Sequence, residues 1–116
     1  MKIVWFEVMD PGKAMERMVR EAETATYAGR ARVTFRSAES MARVLTPTRW
    51  SVVQTLTGAG PTGVRELARR LERDVKGVHT DVTALVTAGI VDRTEDGKYL
   101  FPFDRVKVRF DLHAAA

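Results

Sequence analysis

Between Thr46 and Phe101 helix-period patterns are cut by breakers so often that only short elements can form there. Thr46-Pro47 is a start signal: a hydroxyl can cap the first free N–H groups, and proline fits the first helical position. Trp50, Val53 and Leu56 then recur on one face, and Gly58-Ala59-Gly60-Pro61 ends the pattern. A second helix is expected at 64–72, with Val64, Leu67, Ala68 and Leu71 inward and Arg65, Glu66, Arg69 and Arg70 outward. Gly63 would be its N-cap without a side-chain oxygen, and Glu66 is placed to cap the helix start instead. Asp74 caps a third helix, 74–88, whose Val78, Val82, Leu85 and Val86 form the buried stripe; Gly89 stops it. Ile90 to Thr94 and Tyr99 to Phe101 flank an Asp96-Gly97 turn, a strong hairpin signal.

The flanks read differently. Residues 2–9 have the composition of a strand, stopped by Asp10-Pro11-Gly12. Met15, Met18, Val19, Ala22 and Ala25 then fall at helical spacing up to Gly29. Arg32 to Phe35 suggests a short strand, followed by a Ser37-capped helical turn to about Leu45. Arg105-Val106-Lys107-Val108-Arg109-Phe110 alternates basic with apolar residues, the pattern of a half-buried strand.

At 116 residues and 45% hydrophobic, the chain suits one ordinary globular unit. It has no cysteine, so disulfides, thiolate metal sites and cysteine nucleophiles are excluded together. No apolar run approaches the ~20 residues of a membrane-spanning helix, and residues 3–9 are too short and too interrupted by Glu7 for a secretory signal. A cytoplasmic location and no membrane partner are expected. The net charge of +4 suits a polyanion-binding protein. Its distribution is less simple: residues 30–50 carry Arg30, Arg32, Arg36, Arg43 and Arg49 against Glu39 alone, whereas 61–99 are locally neutral.

Three short helices followed directly by a hairpin describe an α+β fold of the winged helix-turn-helix type, a three-helix core plus a β-hairpin wing. The expected division is a strand-helix extension over 1–45, the helix-turn-helix unit over 46–112 with its C-terminal strand, and a loose tail at 113–116. In such a unit the last helix enters the major groove of double-stranded DNA, with residues near its N-terminus reaching base edges. Off the buried stripe of helix 74–88 lie Lys76, Gly77, His79, Thr80, Thr83 and Thr87, the first five of them the candidates for DNA contact. Lys76 can donate to guanine or phosphate, His79 and the Thr80 hydroxyl can bond base edges, and a threonine methyl can pack on thymine. Gly77 costs the helix roughly 1 kcal/mol against alanine, which asks for a reason such as close backbone approach. Asp81 would repel phosphate, so it should pair with Arg49 or Arg73. Arg49, Arg65, Arg69, Arg70, Arg93 and Lys98 are the expected phosphate contacts. The bland alternative is that each is an ordinary solvated charge.

Three strings also carry a resemblance: Leu45-Thr46-Pro47-Thr48-Arg49, Val64-Arg65-Glu66-Leu67-Ala68-Arg69-Arg70-Leu71, and Arg73 to Val82. With Ala88 to Val91, Glu95 to Lys98, Pro102 to Asp104 and Phe110 to Leu112, the chain resembles a prokaryotic family of winged-helix DNA-binding proteins. That family is loosely similar to the multiple-antibiotic-resistance (MarR) and arsenical-resistance (ArsR) regulators. The resemblance covers about 33–112. It implies a small transcription regulator, a repressor that in some members is an antitoxin acting on its own operon beside a cognate small toxin. Two positions depart from the pattern: Gly63 replaces a polar N-cap, and Thr80 stands where a basic residue often follows the helix histidine. No cofactor is expected, nor is arsenical-type metal sensing, because there is no cysteine and the two histidines, His79 and His113, form no ligand cluster in the sequence.

Regulators of this type usually read two half-sites as a two-fold dimer. Trp5, Phe6, Met15, Met18 and Val19 are the expected homodimer contacts, against the simpler reading that they enlarge one monomer's core. Strands 2–9 and 105–110 would leave edges that favour pairing, within or between chains. No phosphate-cradling loop, nucleophile elbow or metal-ligand spacing supports an enzyme. Two functional expectations remain: a sequence-specific DNA-binding repressor, and a protein-interaction module whose helix face is only solvated.

Overall fold

A computed structural model of the chain describes residues 1–9, 12, 15, 16 and 31–111. The strand rich in branched and aromatic residues, β1 (Ile3–Val8), is the centre of a three-stranded sheet, with β2 (Ala31–Phe35) on one side and β5 (Arg105–Arg109) on the other. Both pairings are parallel, with Val4 opposite Ala31 and Val106, and Phe6 opposite Val33 and Val108. That register sorts the side chains. Val4, Phe6, Val8, Val33, Phe35 and Val106 share the face turned to the core, while Trp5, Glu7, Arg32, Lys107 and Arg109 share the other. On the second face Glu7 is 5% exposed with Arg32 Nε 3.9 Å away, and Lys107 Nζ lies 5.1 Å from the Trp5 ring centroid.

The edge expected at residues 2–9 is therefore satisfied within the chain, and β5 and β2 form the edges of the sheet. The expected boundary at 45/46 is crossed by this sheet and by the core. The Phe6 ring, 0% exposed, packs on Trp50 at 5.7 Å, Phe101 at 6.2 Å and Phe35 at 6.3 Å between centroids. Gly12, Met15 and Glu16 are helical and exposed; the rest of the expected helix 13–28 and the tail beyond 111 lie outside the described residues.

Four helices come after β2: α1 (Ala38–Val44), α2 (Pro47–Leu56), α3 (Val64–Leu71) and α4 (Val75–Thr87). Local chemistry sets their starts. Ser37 Oγ accepts from the Ser40 N–H at 3.0 Å, Thr46 Oγ1 from Arg49 at 3.4 Å, and an Asp74 carboxylate oxygen from Gly77 at 2.9 Å. Gly63 gives α3 no side-chain cap, and Glu66 does not replace it: its carboxylate is taken by Arg69 and Arg70. Gly89, at φ 78°, closes α4, with the Ile90 N–H bonding the Leu85 carbonyl at 2.9 Å.

The helices bury Val52, Val53 and Leu56 from α2, Leu67 and Ala68 from α3, and Val78, Val82 and Leu85 from α4. Each fully buried Val or Leu contributes about 1.5–3 kcal/mol of burial, so these short helices hold one another rather than standing alone. A hairpin comes directly after α4, with β3 (Asp92–Arg93) antiparallel to β4 (Tyr99–Leu100). Tyr99 also exchanges both backbone hydrogen bonds with Thr62, each at 2.9 Å, which ties the hairpin to the segment entering α3. The architecture is α+β: a helical layer against a small parallel sheet, with the hairpin beside it.

Candidate nucleic-acid interface

The turn between α3 and α4 is three residues, Glu72-Arg73-Asp74, so the second helix leaves the first with little freedom. Glu72 takes a left-handed conformation, φ 54°, which lets the Arg73 N–H reach the Ala68 carbonyl at 3.0 Å and close α3. Asp81, on the inner side of α4 and 9% exposed, anchors the turn from the other end. Its carboxylate lies 2.9 Å from Arg73 Nη1 and 3.5 Å from Arg49 Nε, joining the turn, α4 and the start of α2. The expected pairing of Asp81 thus uses both arginines, through ionic contacts rather than well-aligned hydrogen bonds. Arg49 also donates to the Val44 and Arg43 carbonyls at 3.1 and 3.3 Å, binding the free end of α1. Through Nε and Nη1, Arg49 thus ties three parts of the fold together, a structural role that the sequence reading did not assign to it.

The outward face of α4 carries Lys76, His79, Thr80 and Thr83, all four exposed. The Thr80 hydroxyl donates to the Lys76 carbonyl at 3.1 Å, so its proton is used while its lone pairs remain free to accept. Gly77 belongs to the cap. A Cβ there would stand 3.1 Å from Asp74 Oδ1 and 3.2 Å from Arg73 Nη2, so the glycine leaves room for the capping carboxylate and the guanidinium of the Asp81 cluster. Its close approach is to this chain's own side chains.

On α3 the expected cations divide. Arg65 is exposed and makes no ion pair among the described residues. Arg69 grips Glu66 with two bonds, 2.8 and 2.5 Å, and Arg70 reaches the same carboxylate at 3.0 Å. The hydrogen bonds from Arg69 and then Arg70 lower the Glu66 pKa to about 2, so the carboxylate stays charged and offsets one of the two cations. On the hairpin the Arg93 guanidinium lies 5.9 Å from the Tyr99 ring centroid, and Lys98 Nζ is 4.0 Å from Asp96. Thr94 ties the tip: its hydroxyl bonds Asp96, its N–H meets the Lys98 carbonyl at 2.8 Å, and its Oγ1 accepts from the Lys98 N–H at 2.9 Å. The Thr94 hydroxyl, more than Lys98, holds the Asp96 pKa below its ordinary value.

Among the expected dimer residues, Phe6 is spent inside the chain's own core, Trp5 is half-buried beside Lys107, and Met15 is exposed. Met18 and Val19 lie outside the described residues. Sequence reasoning did not place Arg105, Lys107 and Arg109 at a site, although their alternation with valine was visible; only the register shows them sharing a face with Arg32. Among the described residues, no three His, Asp or Glu side chains gather as a metal site, and no helix is long and apolar enough to cross a membrane.

Residues 44–108, more than half of the chain, match the model of the family designated HVO_A0114. No curated protein and no solved structure matches the chain.

Proposed function

The chain belongs to the HVO_A0114 family, and we propose that it is a sequence-specific double-stranded DNA-binding regulator of the winged helix-turn-helix type, with α4 as its reading helix. One observation carries the reading. The Asp81 cluster locks a three-residue turn so that α4 turns Lys76, His79, Thr80 and Thr83 outward, and a hairpin with two cations comes directly after it. A helix of this diameter fits the major groove; Lys76 would donate to guanine or phosphate, His79 would bond a base edge, and a Thr83 methyl would pack on thymine. Arg65 from α3 and Arg93 and Lys98 from the hairpin would neutralise flanking phosphates. Occupying a promoter in this way represses it, and two copies on a two-fold site would double the footprint.

A second reading, a protein-interaction module on the same scaffold, is favoured by the pairing of cations on α3 and at the hairpin. Glu66 holds Arg69 and Arg70, and Asp96 faces Lys98, which lowers the positive potential that attracts DNA. A mobility-shift assay against the DNA upstream of its own gene, at low salt, separates the two. The DNA reading requires a shifted band that weakens in Lys76→Ala with Thr80→Ala. Absence of binding at low salt, or binding indifferent to that double change, leaves the interaction module.

A further inference from the structure

We propose that the outer edge of β5 is a docking strand for an extended acidic segment of a partner protein, one with carboxylates at alternate positions and apolar side chains between them. This stands independently of the DNA reading, which uses the outward face of α4.

The backbone is the first argument. β5 is an edge strand whose Arg105 N–H turns inward to the Lys2 carbonyl at 3.3 Å. Ladder alternation then sends the N–H and C=O groups of Val106 and Val108 outward, where an added strand would pair with them. Charge is the second. Arg105, Lys107 and Arg109 project from one face of that edge, all exposed, and among the described residues Arg105 and Arg109 make no ion pair. The third is the opposite face. Val106 lines an open groove of roughly 410 Å³ with Trp50, Val53, Gln54 and Thr57 of the α2 side and with its own neighbours Asp104 and Arg105, and Val108 and Phe110 remain 45% and 42% exposed. An incoming strand would seat its apolar side chains along this row while its carboxylates met the cations on the other face.

The same charges select against the alternatives. Two copies of β5 pairing antiparallel about Lys107 would set Lys107 against Lys107 and Arg105 against Arg109, like charges directly opposed. Edge cations of this kind discourage self-pairing, and an acidic strand converts that repulsion into attraction. A DNA phosphate could use the cations and the outward N–H groups, but neither the outward carbonyls nor the apolar row.

The test uses the full chain, isotope-labelled, with two capped probe peptides, Glu-Val-Glu-Val-Glu and Lys-Val-Lys-Val-Lys. Only the acidic probe should move amide signals, and these should lie in residues 105–110 and at the Trp50 indole. Val108→Pro removes an outward N–H, a change that edge strands tolerate, and should weaken binding by about tenfold or more. Arg105→Glu with Arg109→Glu should reverse the preference to the basic probe, which keeps the proposal testable if the proline variant fails to fold. Equal binding of both probes, no shifts, or shifts elsewhere would overturn it. So would β5 signals that move on dilution of the chain alone, which is self-pairing. Loss of DNA binding in the charge-reversed variant without a reversed peptide preference would assign the face to phosphate and overturn it as well.

Discussion

Replacing Asp81 with Asn keeps the size of the side chain but leaves two guanidinium groups around a neutral amide. The cost depends on where the three groups sit. The Asp81 side chain is 13% exposed, and those of Arg49 and Arg73 are 24% and 28% exposed. An exposed pair contributes only about 0–1 kcal/mol. Removing one partner of a fully buried pair costs about 3–5 kcal/mol, because the remaining charge is stranded. With the carboxylate nearly buried and the arginines partly wet, the loss should fall at about 2–3 kcal/mol. A domain of this size has a stability of about 6–17 kcal/mol by the usual per-residue range, so the variant should still fold. Urea unfolding monitored by the fluorescence of Trp5 and Trp50 measures the change. Removing the cations as well, with Arg49→Met and Arg73→Met, should recover part of the loss, because no stranded charge then remains. A loss below about 0.5 kcal/mol for Asp81→Asn, or full additivity of the three changes, would refute the claim that this cluster sets the turn.

The same geometry gives three further expected outcomes. Phe6→Ala should destabilise the chain by about 3–5 kcal/mol and keep a single unfolding transition, since Phe6 bridges β1 to α2 and Phe101; two separated transitions would mean independent units. Glu72→Gly should stabilise by about 0.5–1 kcal/mol, because a non-glycine residue at φ 54° carries left-handed strain, partly offset by glycine's greater chain entropy; calorimetry would show a raised Tm. Glu66, depressed to about 2 in the folded chain, contributes stability that is fully present above its unfolded value near 4.5 and is lost as pH falls through about 2. Carboxyl NMR titration should show that low midpoint, and Arg69→Gln should raise it toward the ordinary range.

How much of this could be read from the sequence depended on whether the signal was local. Asp74, Thr46-Pro47, Ser37 and Gly89 each act within four residues, and the helices begin and end where those side chains place them. The Asp96-Gly97 hairpin is local in the same sense. Asp81 was readable because a carboxylate on the inner side of a helix must find a cation, although two arginines sharing it was not. The parallel sheet was not legible: β1 and β5 are almost a whole chain apart, and nothing in either strand names its partner. Phe6 therefore looked available for a second copy when it fills this chain's own core. Arg49 and Gly77 also serve the fold in ways that the sequence does not show. Their types suit DNA contact, but their neighbours, the Val44 carbonyl and the Asp74 carboxylate, are brought there by the fold.

The most direct test of α4 as a reading helix is methylation interference on a duplex site selected from random sequence by the wild-type chain. Methylating guanine N7 places a group in the major groove and nowhere else. If α4 reads the groove, interference appears at one or more guanines and is lost in Lys76→Ala with Thr80→Ala, while residual salt-sensitive binding persists through Arg65, Arg93 and Lys98. A selected site with no guanine N7 interference, or the same interference pattern in the double variant, would contradict that role for α4.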